Sequence, residues 1–101
     1  MFHKGKRSRT AHLDVFDSTS PFAYPRVGVV VPKHRRTVVE RNKLKRQLRE
    51  VLRGDVLPRL RELETAPDLL VRARKEAYLA TFTQLRDELI AWTESRWSRV
   101  F

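Results

Sequence analysis

The 101-residue chain has no cysteine, three glycines and no long apolar run. Without cysteine there are no disulfides, thiolate metal sites or cysteine nucleophiles, so the fold needs no oxidising compartment and the cytoplasm is the expected location. Three glycines do not supply a Gly-rich phosphate loop. A membrane span needs about 20 apolar residues and none is in sight. The basic start also lacks the apolar stretch of a signal peptide, so the mature chain is expected to begin near Met1.

Acidic residues are scarce in one place. Residues 33–53, KHRRTVVERNKLKRQLREVLR, hold nine of the 22 Lys and Arg against two acids, a local net charge of +7. Residues 1–32 are net +3 and residues 54–101 are neutral, so the total of +10 is a localised field. Such a field concentrates polyanions, and every cation that neutralises a phosphate releases counterions. Nucleic acid is therefore the leading partner. An anionic membrane is the competitor, but the apolar stripe Leu44, Leu48, Val51 and Leu52 lacks aromatic residues and suits packing on a sheet.

At 41% hydrophobic content the chain suits one domain, residues 1–101, with one modest core. Ala11–Phe16 alternates as a strand, with Leu13 and Val15 on one face and His12, Asp14 and Phe16 on the other. Residues 17–25 then read as a connection. Arg26–Val31 is β-branched and stops at Pro32, which predicts an interior strand. Thr37-Val-Val-Glu40 spells a capping box that starts a helix, and Gly54 is expected to end it in a left-handed conformation. Residues 55–67, with Pro58 and Pro67, predict a short helical turn or ordered loop, and Asp68–Ala73 a short strand. Thr81-Phe-Thr-Gln84 is a second capping box, opening a helix to about Trp97 with Phe82, Leu85, Leu89 and Trp92 as its buried stripe. The resulting order is β-β-α-β-α, an α+β fold with helices on a single-layer, mainly antiparallel sheet.

On the basic helix, Arg41, Lys45 and Arg49 form one row, and Asn42, Arg46 and Arg53 a second. Arginine offers bidentate donors to phosphate, lysine a mobile charge, and Asn42 both a donor and an acceptor for a base edge or ribose. A merely solvated face would mix signs at offsets of three and four, whereas here only Glu40 and Glu50 are at hand. No helix-turn-helix order flanks it, so a groove between helix and sheet is favoured over a duplex reader. Phe2 and Phe16 are the aromatics that could stack unpaired bases there, with core packing the alternative for Phe16.

Autonomous catalysis has little support, and neither a catalytic nor a metal site is expected in the protein. His3, His12 and His34 lack metal-ligand spacing, Asp87 and Glu88 point apart on a helix, and Asp14 and Asp17 fall on opposite faces of a strand. All are expected to be ordinary surface groups.

Arg41-Asn42-Lys43-Leu44-Lys45-Arg46-Gln47-Leu48-Arg49, preceded by Arg26-Val-Gly-Val-Val-Val-Pro-Lys33, resembles the signature of the bacterial ribonuclease P protein component. Phe2-His-Lys-Gly5 is similar to that family's segment before its first strand, Leu70–Arg74 to its last strand, and residues 82–97 to its closing helix. The resemblance implies a ribosomal protein S5 domain 2-like fold with a left-handed βαβ crossover. The family's first helix is absent from that expectation, because this chain starts at about its end. It also implies an accessory subunit of an endoribonuclease whose RNA removes the 5′ leader of precursor tRNA, using Mg²⁺ held mainly by RNA. Implied partners are the catalytic RNA and precursor tRNA, with no membrane and no obligate protein partner. By the same resemblance, Arg41, Asn42, Lys43 and Arg46 face the catalytic RNA, and Lys45, Arg49, Phe16 and Phe2 line the leader groove; Lys33 and Arg53 extend the cationic RNA-binding set. Two departures stand out: Lys43 replaces the signature's second arginine, and Arg36-Thr37 replaces the usual Gly-Asn before the helix. A ribosomal or other structured-RNA-binding protein, and an autonomous nuclease, are the alternatives.

Overall fold

The computed structural model describes residues 6–97. The elements run β1 (Lys6–Arg9), β2 (Leu13–Thr19), β3 (Arg26–Val30), α1 (Val38–Val51), α2 (Leu57–Leu60), β4 (Pro67–Ala73) and α3 (Phe82–Arg96). A π-helical turn, Leu52–Val56, joins α1 to α2, and a 3₁₀ turn, Lys75–Leu79, precedes α3. The sheet order is β1-β2-β4-β3, with β1–β2 and β2–β4 antiparallel and β3–β4 parallel. The α+β, mainly antiparallel expectation holds, with one more strand than predicted.

Strand alternation decides where the helices lie. Leu13 and Val15 of β2 sit opposite Ala73 and Val71 of β4, and all four are buried. Val27 and Val29 of β3 continue this face beside Leu69 and Val71. Leu44, Leu48 and Val51 of α1, and Leu85 and Leu89 of α3, complete the core on it. Sidedness of this kind follows from the period-two strand pattern meeting a helical stripe. In α3, Thr93 is buried and satisfies its hydroxyl on the Leu89 carbonyl at 2.8 Å, while Phe82 and Trp92 pack at the margin.

Both capping boxes form as the sequence predicts. Thr37 Oγ1 accepts from the Glu40 amide at 3.1 Å, and Thr81 Oγ1 from the Gln84 amide at 3.1 Å. Several expectations need correction. β2 runs on to Thr19, into the predicted connection. β3 is an edge strand rather than an interior one, because the chain inserts β4 between β2 and β3. β1 is an addition: Lys-Arg-Ser-Arg carries no apolar alternation and is a strand because β2 offers it an edge. Gly54 does not end the helix. It has negative φ within the π-helical turn, and the path continues into α2, with Pro58 in its first turn.

The acids expected at the surface are also corrected. Asp14 and Asp17 do face opposite sides of β2, yet both are buried. Arg7 and Arg74 each lie 3.4 Å from Asp14, and Arg96 lies 3.1 Å from Asp17. Glu88, largely buried on α3, accepts from the His12 amide at 3.0 Å and from the Thr10 hydroxyl, with His12 Nδ1 at 2.6 Å. Charges distant in sequence make burial tolerable by pairing.

Candidate nucleic-acid interface

α1 displays its charge because its apolar stripe is committed to the core. With Leu44, Leu48 and Val51 buried, Asn42, Lys43, Arg46 and Arg49 are exposed, and Arg41 and Lys45 are half-buried. Lys33 in the preceding loop and Arg53 in the π-helical turn are exposed as well. Of the nine Lys and Arg in residues 33–53, Arg36 is the one with a carboxylate partner among the described residues, Glu40 at 3.1 Å. Elsewhere pairing is common: Arg7, Arg26, Arg59, Arg74, Arg86 and Arg96 all meet acids. The Thr37 amide, followed by Arg36, holds the Glu40 carboxyl below its usual range, so even this acid is committed to the helix start. The remaining cations of the segment are open to an external polyanion.

The loop that launches α1 is strained and braced. His34 and Arg35 take positive φ values of 45° and 61°, a region that costs a residue with a β-carbon roughly 1–2 kcal/mol. Tyr78, from the 3₁₀ turn, holds this loop. Its hydroxyl donates to the Pro32 carbonyl at 3.1 Å, the His34 ring meets it edge-on, and the Arg36 guanidinium lies 5.0 Å from its ring centroid. His34 Nε2 lies 3.2 Å from the Ala73 carbonyl oxygen, to which it donates in the Nε2–H tautomer. Burial raises the Tyr78 pKa, while the charges of Arg41 and Arg36 oppose that rise. Arg41 Nε is buried with no hydrogen-bond partner among the described residues.

Away from the core helices, the sheet presents a second face. One row across it reads Arg7, Phe16, Leu70, Gly28, and the next Arg9, Asp14, Arg72, Val30. Phe16 is half-buried here rather than in the core, with the Arg7 guanidinium 5.9 Å from its ring centroid. Arg9 and Arg72 are exposed. Gly28 ends the first row at the sheet edge, and a β-carbon there would stand 3.2 Å from Leu70 Cδ1. The same glycine joins Val27, Val29, Leu52, Arg49 and Arg53 in lining a depression between β3 and the end of α1.

The anticipated groove residues therefore do not converge on one pocket. Arg49 and Arg53 meet at Gly28, Phe16 stands two strands away at about 10 Å by strand spacing, and Lys45 is half-buried on α1. Phe2 lies outside the described residues. Sequence reasoning missed Tyr78, Arg7, Arg9, Arg72 and Gly28. Only Gly28 carried a signal, since glycine within a β-branched strand marks a close approach. Among the described residues, no three His, Asp or Glu are grouped to hold a metal ion, and no helix is long and apolar enough to cross a membrane.

Comparison with known proteins agrees with this architecture. The Ribonuclease P family model matches residues 1–95. The chain is 39% identical over 87 residues to the ribonuclease P protein component of Thermus scotoductus, covering 86% of this chain and 48% of that protein. It thus spans about half the length of the Thermus relatives it matches. Its backbone is similar to the RNase P protein of Thermotoga maritima, with a TM-score of 0.78, 26% identity, and coverage of 93% of this chain and 86% of that one. The RNase P protein of Staphylococcus aureus gives a TM-score of 0.74 at 26% identity, covering 97% and 84% respectively.

Proposed function

The chain belongs to the ribonuclease P protein family, and on that premise we propose that it is the protein subunit of a ribonucleoprotein that removes the 5′ leader from precursor tRNA in the cytoplasm. Catalysis belongs to the RNA partner in this reading. The protein binds that RNA through Arg41, Asn42, Lys43 and Arg46, and positions the leader along Arg49, Arg53, Lys45 and the Phe16 face of the sheet. The observation that carries the proposal is the run of cations in residues 33–53 left without carboxylate partners among the described residues, on a helix whose other side is fixed to the core. Such a surface screens phosphate repulsion between two RNAs.

In this proposal Mg²⁺ is held chiefly by RNA phosphates, whose oxygens are the hard donors that ion prefers.

The test is leader cleavage of a precursor tRNA at low Mg²⁺ by a bacterial ribonuclease P RNA, with and without the protein, alongside protein alone. Stimulation that requires the RNA is the expected outcome. Cleavage by protein alone would point to an autonomous nuclease, and tight RNA binding without stimulation to a general structured-RNA binder.

A further inference from the structure

The connection between β2 and β3 displays an aromatic stack that the proposed site leaves unused. Phe22 and Tyr24 lie nearly parallel, with ring centroids 5.3 Å apart and 9° between planes. Both are open to solvent, at 48% and 57% exposure. The Arg26 guanidinium lies 4.7 Å from the Phe22 centroid. Asp68 fixes that guanidinium, accepting from Nε at 2.8 Å and also from Nη2. The backbone around the rings is braced as well. Ser20 Oγ accepts from the Phe22 amide at 3.1 Å, the Ser20 amide donates to Ala66 O at 2.8 Å, and Pro21 and Pro25 restrict the chain on either side.

Two exposed rings that served only to shed water would gain by folding onto the core. These are instead held flat and outward by a carboxylate-clamped arginine, an arrangement that lowers the ordering cost of binding a planar group. Its surroundings define the ligand's charge. Arg26 lies in the row Ser18, Asp68, Arg26 on the sheet face that carries Phe16, so by strand rise and spacing the two arginine-bearing aromatic positions are about 12 Å apart. Arg49 and Arg53, without carboxylate partners among the described residues, border β3 at Val27–Val29, immediately beyond Arg26. Stacking planes beside phosphate-seeking cations are the two components of a single-strand RNA track.

We propose that Phe22 and Tyr24 form a stacking platform for an unpaired base of the precursor leader, separate from Phe16, with Tyr24 as the contact and Arg26–Asp68 as its positioning pair. The proposal rests on the leader-binding reading above and adds a second base position to it. It predicts that the preference for leader-bearing RNA depends on leader length, because only a leader long enough to span the roughly 12 Å between Phe16 and Arg26 occupies both positions.

The experiment measures affinities of the assembled RNA–protein complex for precursor tRNAs with a graded series of leader lengths, and for mature tRNA, using wild type, Tyr24→Leu and Tyr24→Trp. Leucine keeps apolar bulk and removes the π face, and melting temperature checks that the exposed substitution leaves the fold intact. The expected result is a loss of about five-fold or more with Tyr24→Leu for long leaders only, with Tyr24→Trp retaining affinity. Replacing leader nucleotides one by one with abasic residues should reveal one position whose loss matters in wild type and not in Tyr24→Leu. Equal losses for long-leader and mature RNA, or no loss at all while wild type still prefers precursor, would overturn the platform and leave the leader reading standing. No preference for precursor in wild type would overturn the leader reading itself, and the platform with it. A Tyr24→Leu effect on protein mass in sedimentation, without one on leader affinity, would make the stack a self-association contact and likewise overturn it.

Discussion

At the residue scale, charge partnership separates structural from functional arginines. Arg26, Arg74 and Arg96 answer buried carboxylates, whereas Arg46 is exposed on α1 and forms no ion pair among the described residues, Glu50 one turn on included. Arg46→Ala should leave the melting temperature nearly unchanged and flatten the salt dependence of binding to the catalytic RNA by roughly 0.7 to 0.9 log units per log unit of salt, the loss of one phosphate contact. An unchanged slope in a salt titration would remove Arg46 from the interface. Asp68 belongs to the structural group. Hydrogen bonds from Arg26 hold its carboxyl below the usual aspartate range despite the opposing effect of burial. Because the folded value is the lower one, this stabilisation is complete at neutral pH. It declines as acid protonates the unfolded carboxyl, below about pH 4, and vanishes once the folded carboxyl is protonated too. Asp68→Asn should cost on the order of 1–2 kcal/mol at pH 7, Arg26 being partly exposed and screened, and should flatten the acid limb of a denaturation series. An acid limb identical to wild type would show that Asp68 does not set it.

At the element scale, α1 was legible and its ending was not. Thr37-Val-Val-Glu40 and the stripe Leu44, Leu48, Val51 are local patterns, and local hydrogen bonding is enough to realise them. Gly54 also looked local, as a helix stop, but the apolar residues Leu52, Val56 and Leu60 are all buried, and reaching all three requires the helical path to continue. One π-helical turn re-phases the chain to do so. Gly54 consequently has no positive φ, and a β-carbon added to it would meet no atom within 4 Å. Gly54→Ala should therefore stabilise the protein by about 0.4–1 kcal/mol, by reducing the freedom of the unfolded chain, with RNA affinity unchanged. Chemical denaturation reads this directly, and a destabilised variant would contradict the helical assignment. β1 is the converse case, since its polar sequence becomes a strand only against the free edge of β2.

At the scale of the whole molecule, cationic features lie on both faces of one sheet, whose β3 edge separates them. α1 covers the core side and turns Arg49 and Arg53 toward Gly28, while the opposite side carries Arg7, Phe16 and Arg72. In the proposed complex a leader crosses this edge, and mature tRNA has nothing to place there. Phe16→Ala should then weaken precursor binding by roughly 1–3 kcal/mol and leave mature tRNA binding unaltered. Parallel affinity measurements on the two RNAs decide this, and equal losses would move Phe16 out of the leader path.

The basic helix, its cap, the strands that frame it and the family signature Arg41–Arg49 were all readable from sequence, because each depends on neighbours within a few residues. Candidate interface residues on α1 were legible for the same reason: the apolar stripe determines which side must face outward. Tertiary structure alone decided which strand lies in the middle, which acids are buried beneath which arginines, and how Tyr78 braces a loop more than 40 residues before it. It also brought Arg49 to Gly28 and set Phe16 two strands away. Those outcomes come from non-local pairing, in which a register or a partner is chosen by burying the whole core at once rather than by any one segment's preference.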